Sequence, residues 1–208
     1  MSRSSQVLPR IGLGLMALLS LPLALLAYGY LFDLTTAPDP VSENRFLPGL
    51  LPAHAAFGAT ALLLGFLQFI PRLRNGYPKV HRWIGRTYVA SCMIGGAAGL
   101  VLAFGASTGL VTTFGFGTLA ALWMSTTAIG WSMAREGRTS DHRRWMTRSF
   151  ALTFAFVTFR LELQSGVVLF GLPFEVSYQG SAVLCWITNL LVAELILRRG
   201  RARVRPST

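Results

Sequence analysis

Residues 53–70 read AHAAFGATALLLGFLQFI, eighteen positions without an aspartate, glutamate, lysine or arginine, closed by Pro71 and followed by Arg72 and Arg74. A helix needs about 20 mostly apolar residues to cross the hydrocarbon core of a bilayer. Lysine and arginine collect at the cytoplasmic end of such a helix. The stretch therefore predicts a membrane-spanning helix that runs toward a basic, cytoplasmic connection.

Five further stretches read the same way: 11–32, 87–106, 110–134, 145–170 and 181–197. The first competes with a signal peptide, whose apolar region is about 7–15 residues and ends at a small-residue cleavage site. This one is longer and has no convincing A-x-A, so it reads as a retained anchor. A Ser107-Thr108-Gly109 turn joins the third stretch to the fourth. The predicted fold class is all-α: a single transmembrane domain over residues 1–208, with six spans and a basic cytoplasmic tail at 199–208.

Composition agrees. Of the 208 residues 52% are hydrophobic and 13% charged, against about 25% charged in soluble domains. The net charge of +11 invites a nucleic-acid reading, but the charges lie in short runs between long uncharged stretches. Seventeen of the 19 basic residues fall in the N-terminal segment, the second–third and fourth–fifth connections, and the C-terminal tail. The opposite connections hold Asp33, Asp39, Glu43 and Glu175 against Arg45. This alternation places both termini in the cytoplasm and assigns the basic runs to anionic lipid headgroups, at about 1 kcal/mol per residue. No nucleic-acid partner is expected. Cys92 and Cys185 lie in apolar stretches without C-x-x-C spacing, so they read as small buried side chains.

Arg82-Trp83-x-x-Arg86-x-Tyr88 recurs 62 residues later as Arg144-Trp145-x-x-Arg148-x-Phe150. Each copy opens a helix that leaves the cytoplasm, which suggests two related hairpins, spans two–three and four–five, forming a four-helix core. Tryptophan and arginine at such positions anchor a helix at headgroup level. Gly95 and Gly99 form a small-x-x-x-small pair that lets helix backbones approach.

Ionisable groups inside the hydrocarbon are costly and mark functional sites by default. The fifth span contains Arg160, Glu162 and Gln164. At about 1.5 Å rise per residue, Arg160 lies roughly 16 Å deep and Asn189 of the sixth span about 13 Å deep. Arg160 and Glu162, two apart, point in different directions, so their partners must come from other helices. His54 is level with Glu162 or Gln164. The ligand-binding candidates are therefore His54, Arg160, Glu162, Gln164 and Asn189, grouped as an outward pocket for a quinone headgroup, an anion, a lipid headgroup or a relay water. The competing reading is a polar clasp that fixes helix packing. Glu194 reads as an i,i+4 pair with Arg198.

The other two histidines, His81 and His142, stand on the cytoplasmic side at the starts of helices three and five. Together they could ligate one b-type haem, with Arg82, Arg143 or Arg144 toward its propionates. No other metal site is indicated, two bis-histidine haems are excluded by the histidine count, and no P-loop, dinucleotide fingerprint, H-E-x-x-H or G-x-S-x-G is present. No catalytic residue is identified.

Three stretches taken together, His54-Ala-Ala-Phe-Gly58 with Gly65-Phe-Leu-Gln68-Phe, His81-Arg-Trp-Ile-Gly85-Arg86-Thr-Tyr88, and His142-Arg-Arg-Trp145-Met-x-Arg148 with Phe159-Arg160-Leu161, resemble a family of predicted bacterial membrane proteins catalogued as domain of unknown function 2306. The resemblance covers roughly residues 50 to 165 and implies a multi-pass membrane protein without assigning an activity. The functions that follow are, in order, a ligand-binding or redox protein using quinone or haem, a small transporter or proton-coupled carrier, and a non-catalytic subunit or assembly factor. The last implies a membrane-protein partner or a homo-oligomer.

Overall fold

The computed structural model describes residues 4–36, 39–44 and 46–202, and its regular elements are all helical. Arg3, Arg45 and the last six residues of the expected basic tail lie outside the described residues. Helix α1 spans Ser4–Gly29, and a 3-10 turn at Leu34–Thr36 leads to the single turn α2, Asp39–Ser42. Then come α3 (Leu47–Leu67), α4 (Pro71–Gly76), α5 (Pro78–Phe104) and α6 (Leu110–Arg135). The chain closes with α7 (Thr139–Thr153), α8 (Ala155–Gln164), a π turn at Ser165–Leu169 and α9 (Phe174–Ala202).

The ends follow from backbone chemistry. Pro48, Pro71 and Pro78 occupy the first turns of α3, α4 and α5, where amides have no intrahelical acceptor and a missing N–H costs nothing. Helix α6 stops at a Schellman motif. The Arg138 N–H donates to the Met133 carbonyl at 2.9 Å and the Gly137 N–H to Ala134 at 3.2 Å. Gly137 supplies the required left-handed φ of 74°.

Four helical stretches among the described residues, Pro48–Leu67, Pro78–Phe104, Thr139–Leu169 and Phe174–Arg199, are long and apolar enough to cross a membrane, and Gly14–Gly29 is a shorter apolar helix. Helix α6 has 26 residues, but seven Ser and Thr and three Gly dilute its apolar content. Three of those hydroxyl residues, Thr112, Thr126 and Thr127, are buried inside the protein. Helices begin at Pro78, Thr139 and Phe174, ahead of the expected 87, 145 and 181. An apolar run marks only the part of a helix that lies in hydrocarbon, and the coil continues through the polar flank.

Helices α3, α5, α6 and α7 pack in a ring, each on the next and α7 back on α3. Helix α1 lies against α3 and reaches α8, while α9 covers α6, α7 and α8. Large apolar side chains such as Leu18, Phe104, Phe114 and Leu169 stay mostly exposed. An outer surface so rich in uncovered apolar side chains fits lipid and not water.

The fifth apolar stretch is not one continuous helix. It breaks at Phe154 between α7 and α8. Asn189 of α9 bridges the break: its Nδ2 donates to the Ala151 carbonyl at 3.0 Å and its Oδ1 accepts from Thr158 Oγ1 at 2.9 Å. In hydrocarbon a freed backbone carbonyl needs such a partner. Glu194, expected to pair with Arg198, instead takes Arg148 Nε at 2.5 Å and Nη2 at 3.1 Å. The guanidinium of α7 presents a planar two-pronged donor to the carboxylate, a geometry a neighbouring turn of the same helix does not offer.

Candidate functional site

A cavity of about 230 Å³ opens between α1, α3, α5, α6, α7, α8 and α9. It reaches from Asn44 and Thr108, at the end of the bundle that carries α2, to Trp123 and Thr153 near its middle. Ten of its 27 lining residues are Gly or Ala, so the space exists because small side chains on five helices and the α5–α6 connection face one another. Polar groups on this wall are few, which is the usual make-up of a small-molecule site.

His54 and Arg160 are two of them. His54 Nδ1 lies 2.8 Å from the Gly95 carbonyl. A carbonyl only accepts, so Nδ1 carries the hydrogen and Nε2 of the neutral ring keeps its lone pair. A side chain at position 99 would place its Cβ 2.7 Å from the imidazole, so Gly99 is what lets α5 approach the ring.

Arg160 is the one arginine or lysine on the cavity wall among the described residues. Its Cζ lies 5.4 Å from the centroid of the Phe156 ring, and its Nε is buried without a hydrogen-bond partner. No carboxylate among the described residues lies within ion-pair distance of it. The partner expected from another helix is therefore not supplied by the protein.

The other three pocket candidates stand elsewhere. Glu162 accepts from Thr188 Oγ1 at 3.3 Å on the α9 side, with Oε2 buried and unpartnered. Gln164 is exposed. Asn189 is consumed by the α7–α8 break. The structure thus brings His54 and Arg160 to one cavity and leaves Glu162, Gln164 and Asn189 outside it.

His81 and His142 occupy the first turns of α5 and α7 and stand close enough to interact electrostatically. His142 Nδ1 lies 2.8 Å from the Gly130 carbonyl, while His81 Nδ1 is buried without a partner. Arg82 and Arg143 are exposed, and Arg144 sits 3.5 Å from Asp141. In both copies of the repeat the second arginine stacks on the tryptophan: Arg86 over Trp83 at 5.1 Å and Arg148 over Trp145 at 4.8 Å. That is the stacking expected of a guanidinium on an aromatic face.

Sequence reasoning missed a neutral network at the cavity's deep end. Trp123 Nε1 donates to Thr153 Oγ1 at 2.8 Å, and Thr153 Oγ1 donates to the Ser149 carbonyl at 3.0 Å. Thr127 Oγ1 donates to the Trp123 carbonyl at 2.7 Å and so accepts from Ser149 Oγ, also at 2.7 Å. The Tyr88 hydroxyl lies 2.8 Å from both Ser149 and Thr153. Every hydrogen finds an acceptor, and three helices are tied at a fully buried point. The i,i+4 pairs Trp123–Thr127 and Ser149–Thr153 were the available signal, since small hydroxyls on one face commonly join membrane helices.

A family model described as Predicted membrane protein (DUF2306) matches residues 51–197. The match extends into α9, the helix that Asn189 and Glu194 fasten to the bundle, and ends at residue 197. No curated protein and no solved structure matches the chain.

Proposed function

Because the chain belongs to the DUF2306 family of predicted membrane proteins, we propose that it is a membrane ligand-binding protein whose cavity receives the head of a quinone or other membrane-dissolved amphiphile. The chain crosses a bacterial inner membrane six times, by α1, α3, α5, α6, the α7–α8 unit and α9, with both termini cytoplasmic. Two related hairpins, α3–α5 and α6–α7, form the four-helix core. The segregation of basic residues supports this orientation. The cavity then opens toward the outer leaflet, and the stacked Arg–Trp pairs face anionic headgroups at the cytoplasmic surface.

One observation carries the reading: Arg160, within a span, lines an apolar cavity, its Nε buried without a hydrogen-bond partner and no carboxylate among the described residues in ion-pair distance. An arginine at that depth is too costly to keep without a role, and the clasp reading requires a partner that is missing. The cavity size fits a headgroup; whole drug-sized ligands occupy about 300–1,000 Å³.

The test is equilibrium binding of decyl-benzoquinone and of decanoate to the purified chain, beside Gly58→Leu. Gly58 lines the cavity and a Cβ there meets nothing within 4 Å, so a larger side chain at this position takes up cavity space. Binding of either probe that Gly58→Leu removes is the expected result. Absence of binding by both would refute the proposal.

A haem between His81 and His142 is a second reading, favoured by their proximity and by the His142–Gly130 contact. That contact leaves Nε2 free, the arrangement in which metal-bound histidines are usually held. A Soret band that His142→Ala abolishes is its test, and a colourless preparation from haem-replete cells would end it.

A further inference from the structure

Resting on the ligand-binding reading above, we infer that the cavity's ligand is a monoanion: a carboxylate with a slender apolar tail, its head on Arg160 and its tail in the Gly/Ala-lined slot. A guanidinium cannot shed its proton to escape burial, so the charge of Arg160 must be offset by its surroundings. Among the described residues no carboxylate lies within ion-pair distance of it, and the ring of Phe156 carries no full negative charge. A quinone or an alcohol could accept a hydrogen bond from Arg160 but would leave the charge uncompensated, whereas a carboxylate does both at once.

Two more donors stand at the same place. Tyr30 and Tyr178 line the cavity, and Tyr178 is close enough to Arg160 and to Tyr30 to feel both. Neither hydroxyl is hydrogen-bonded to another described residue, so both can donate to a carboxylate oxygen. Among the described residues Arg160 is the only arginine or lysine on the cavity wall, which suits one negative charge and not the two of a phosphate monoester. The glycines and alanines of the wall leave apolar space for a chain of methylenes.

The experiment measures binding of decanoate, decanol and decyltrimethylammonium to the purified full chain by equilibrium dialysis, below their micellar concentrations. Wild type, Arg160→Gln, Arg160→Lys and Gly58→Leu are compared. A charge-assisted hydrogen bond in such a site corresponds to about 10- to 100-fold in affinity. Decanoate is expected to bind at least about tenfold tighter than decanol, with the cation weakest. Arg160→Gln should bring decanoate down to the level of decanol, Arg160→Lys should keep part of the preference, and Gly58→Leu should abolish all binding. Equal binding of decanoate and decanol that Gly58→Leu still removes would overturn the anion assignment while leaving the ligand-binding reading in place. Failure of every probe on the wild-type chain would overturn both.

Discussion

Two polar regions meet inside this bundle, and they are opposites. The Tyr88–Ser149–Thr127–Trp123–Thr153 network is neutral, enclosed and satisfied at every hydrogen. The cavity wall carries Arg160, charged and without a carboxylate partner among the described residues. Thr153 belongs to both, as an acceptor in the network and a lining residue of the cavity. Burying polar groups stabilises a fold only when they are paired. A satisfied network reads as architecture, and we take the unsatisfied charge beside the cavity as a site.

The contrast breaks most visibly at the network. Thr153→Val keeps the shape but leaves the Trp123 indole N–H buried without an acceptor. A loss of roughly 1–3 kcal/mol is expected, read as a lower melting temperature of the purified chain in detergent.

Two glycines on α3 give the next largest contrast. A Cβ at Gly65 would press to 2.4 Å from the Phe150 ring, while one at Gly58 meets nothing within 4 Å. Overpacking costs about 1–3 kcal/mol and the helix gains up to ~1 kcal/mol from Gly→Ala. Gly65→Ala should therefore lose about 1–2 kcal/mol, and Gly58→Ala should melt at or above wild type.

Arg160→Met should change ligand-free stability by less than about 1 kcal/mol in the destabilising direction, because no carboxylate is orphaned when the guanidinium leaves. A melt far below wild type would mean that Arg160 clasps the bundle.

The smallest effect lies outside the membrane. Asp33 accepts from Thr35 Oγ1 at 2.6 Å and Thr35 N–H at 2.9 Å, which hold its carboxyl below the usual range. A depressed folded value contributes stability at neutral pH that is lost as pH falls through that value. Asp33→Asn should flatten a shallow acid limb in the melting profile and leave neutral-pH melting nearly unchanged.

The apolar helices were legible because uncharged runs of membrane length have few alternatives, and Arg160 stood out because charge in hydrocarbon is rare. What remained hidden depends on rotation about helix axes. Glu162 sits two residues from Arg160, yet it faces Thr188 and not the cavity. Asn189 lies at the depth of Arg160, but a helix break that no proline announces claims its amide. Glu194 had a basic residue one turn away and pairs across to Arg148 instead. The neutral network used serine, threonine, tyrosine and tryptophan, whose types carry no alarm in an apolar stretch. The cavity itself is a property of ten small side chains on separate helices, which no local pattern records.

The central claim is that Arg160 serves a ligand and not the fold. The most direct measurement is the melting temperature of the purified chain, wild type beside Arg160→Gln, each with and without decanoate. Ligand that binds only the folded state raises its stability. The account predicts that decanoate raises the wild-type value and not that of the variant, while the two proteins melt alike without it. A ligand-free variant that melts well below wild type, with decanoate shifting neither, would contradict it.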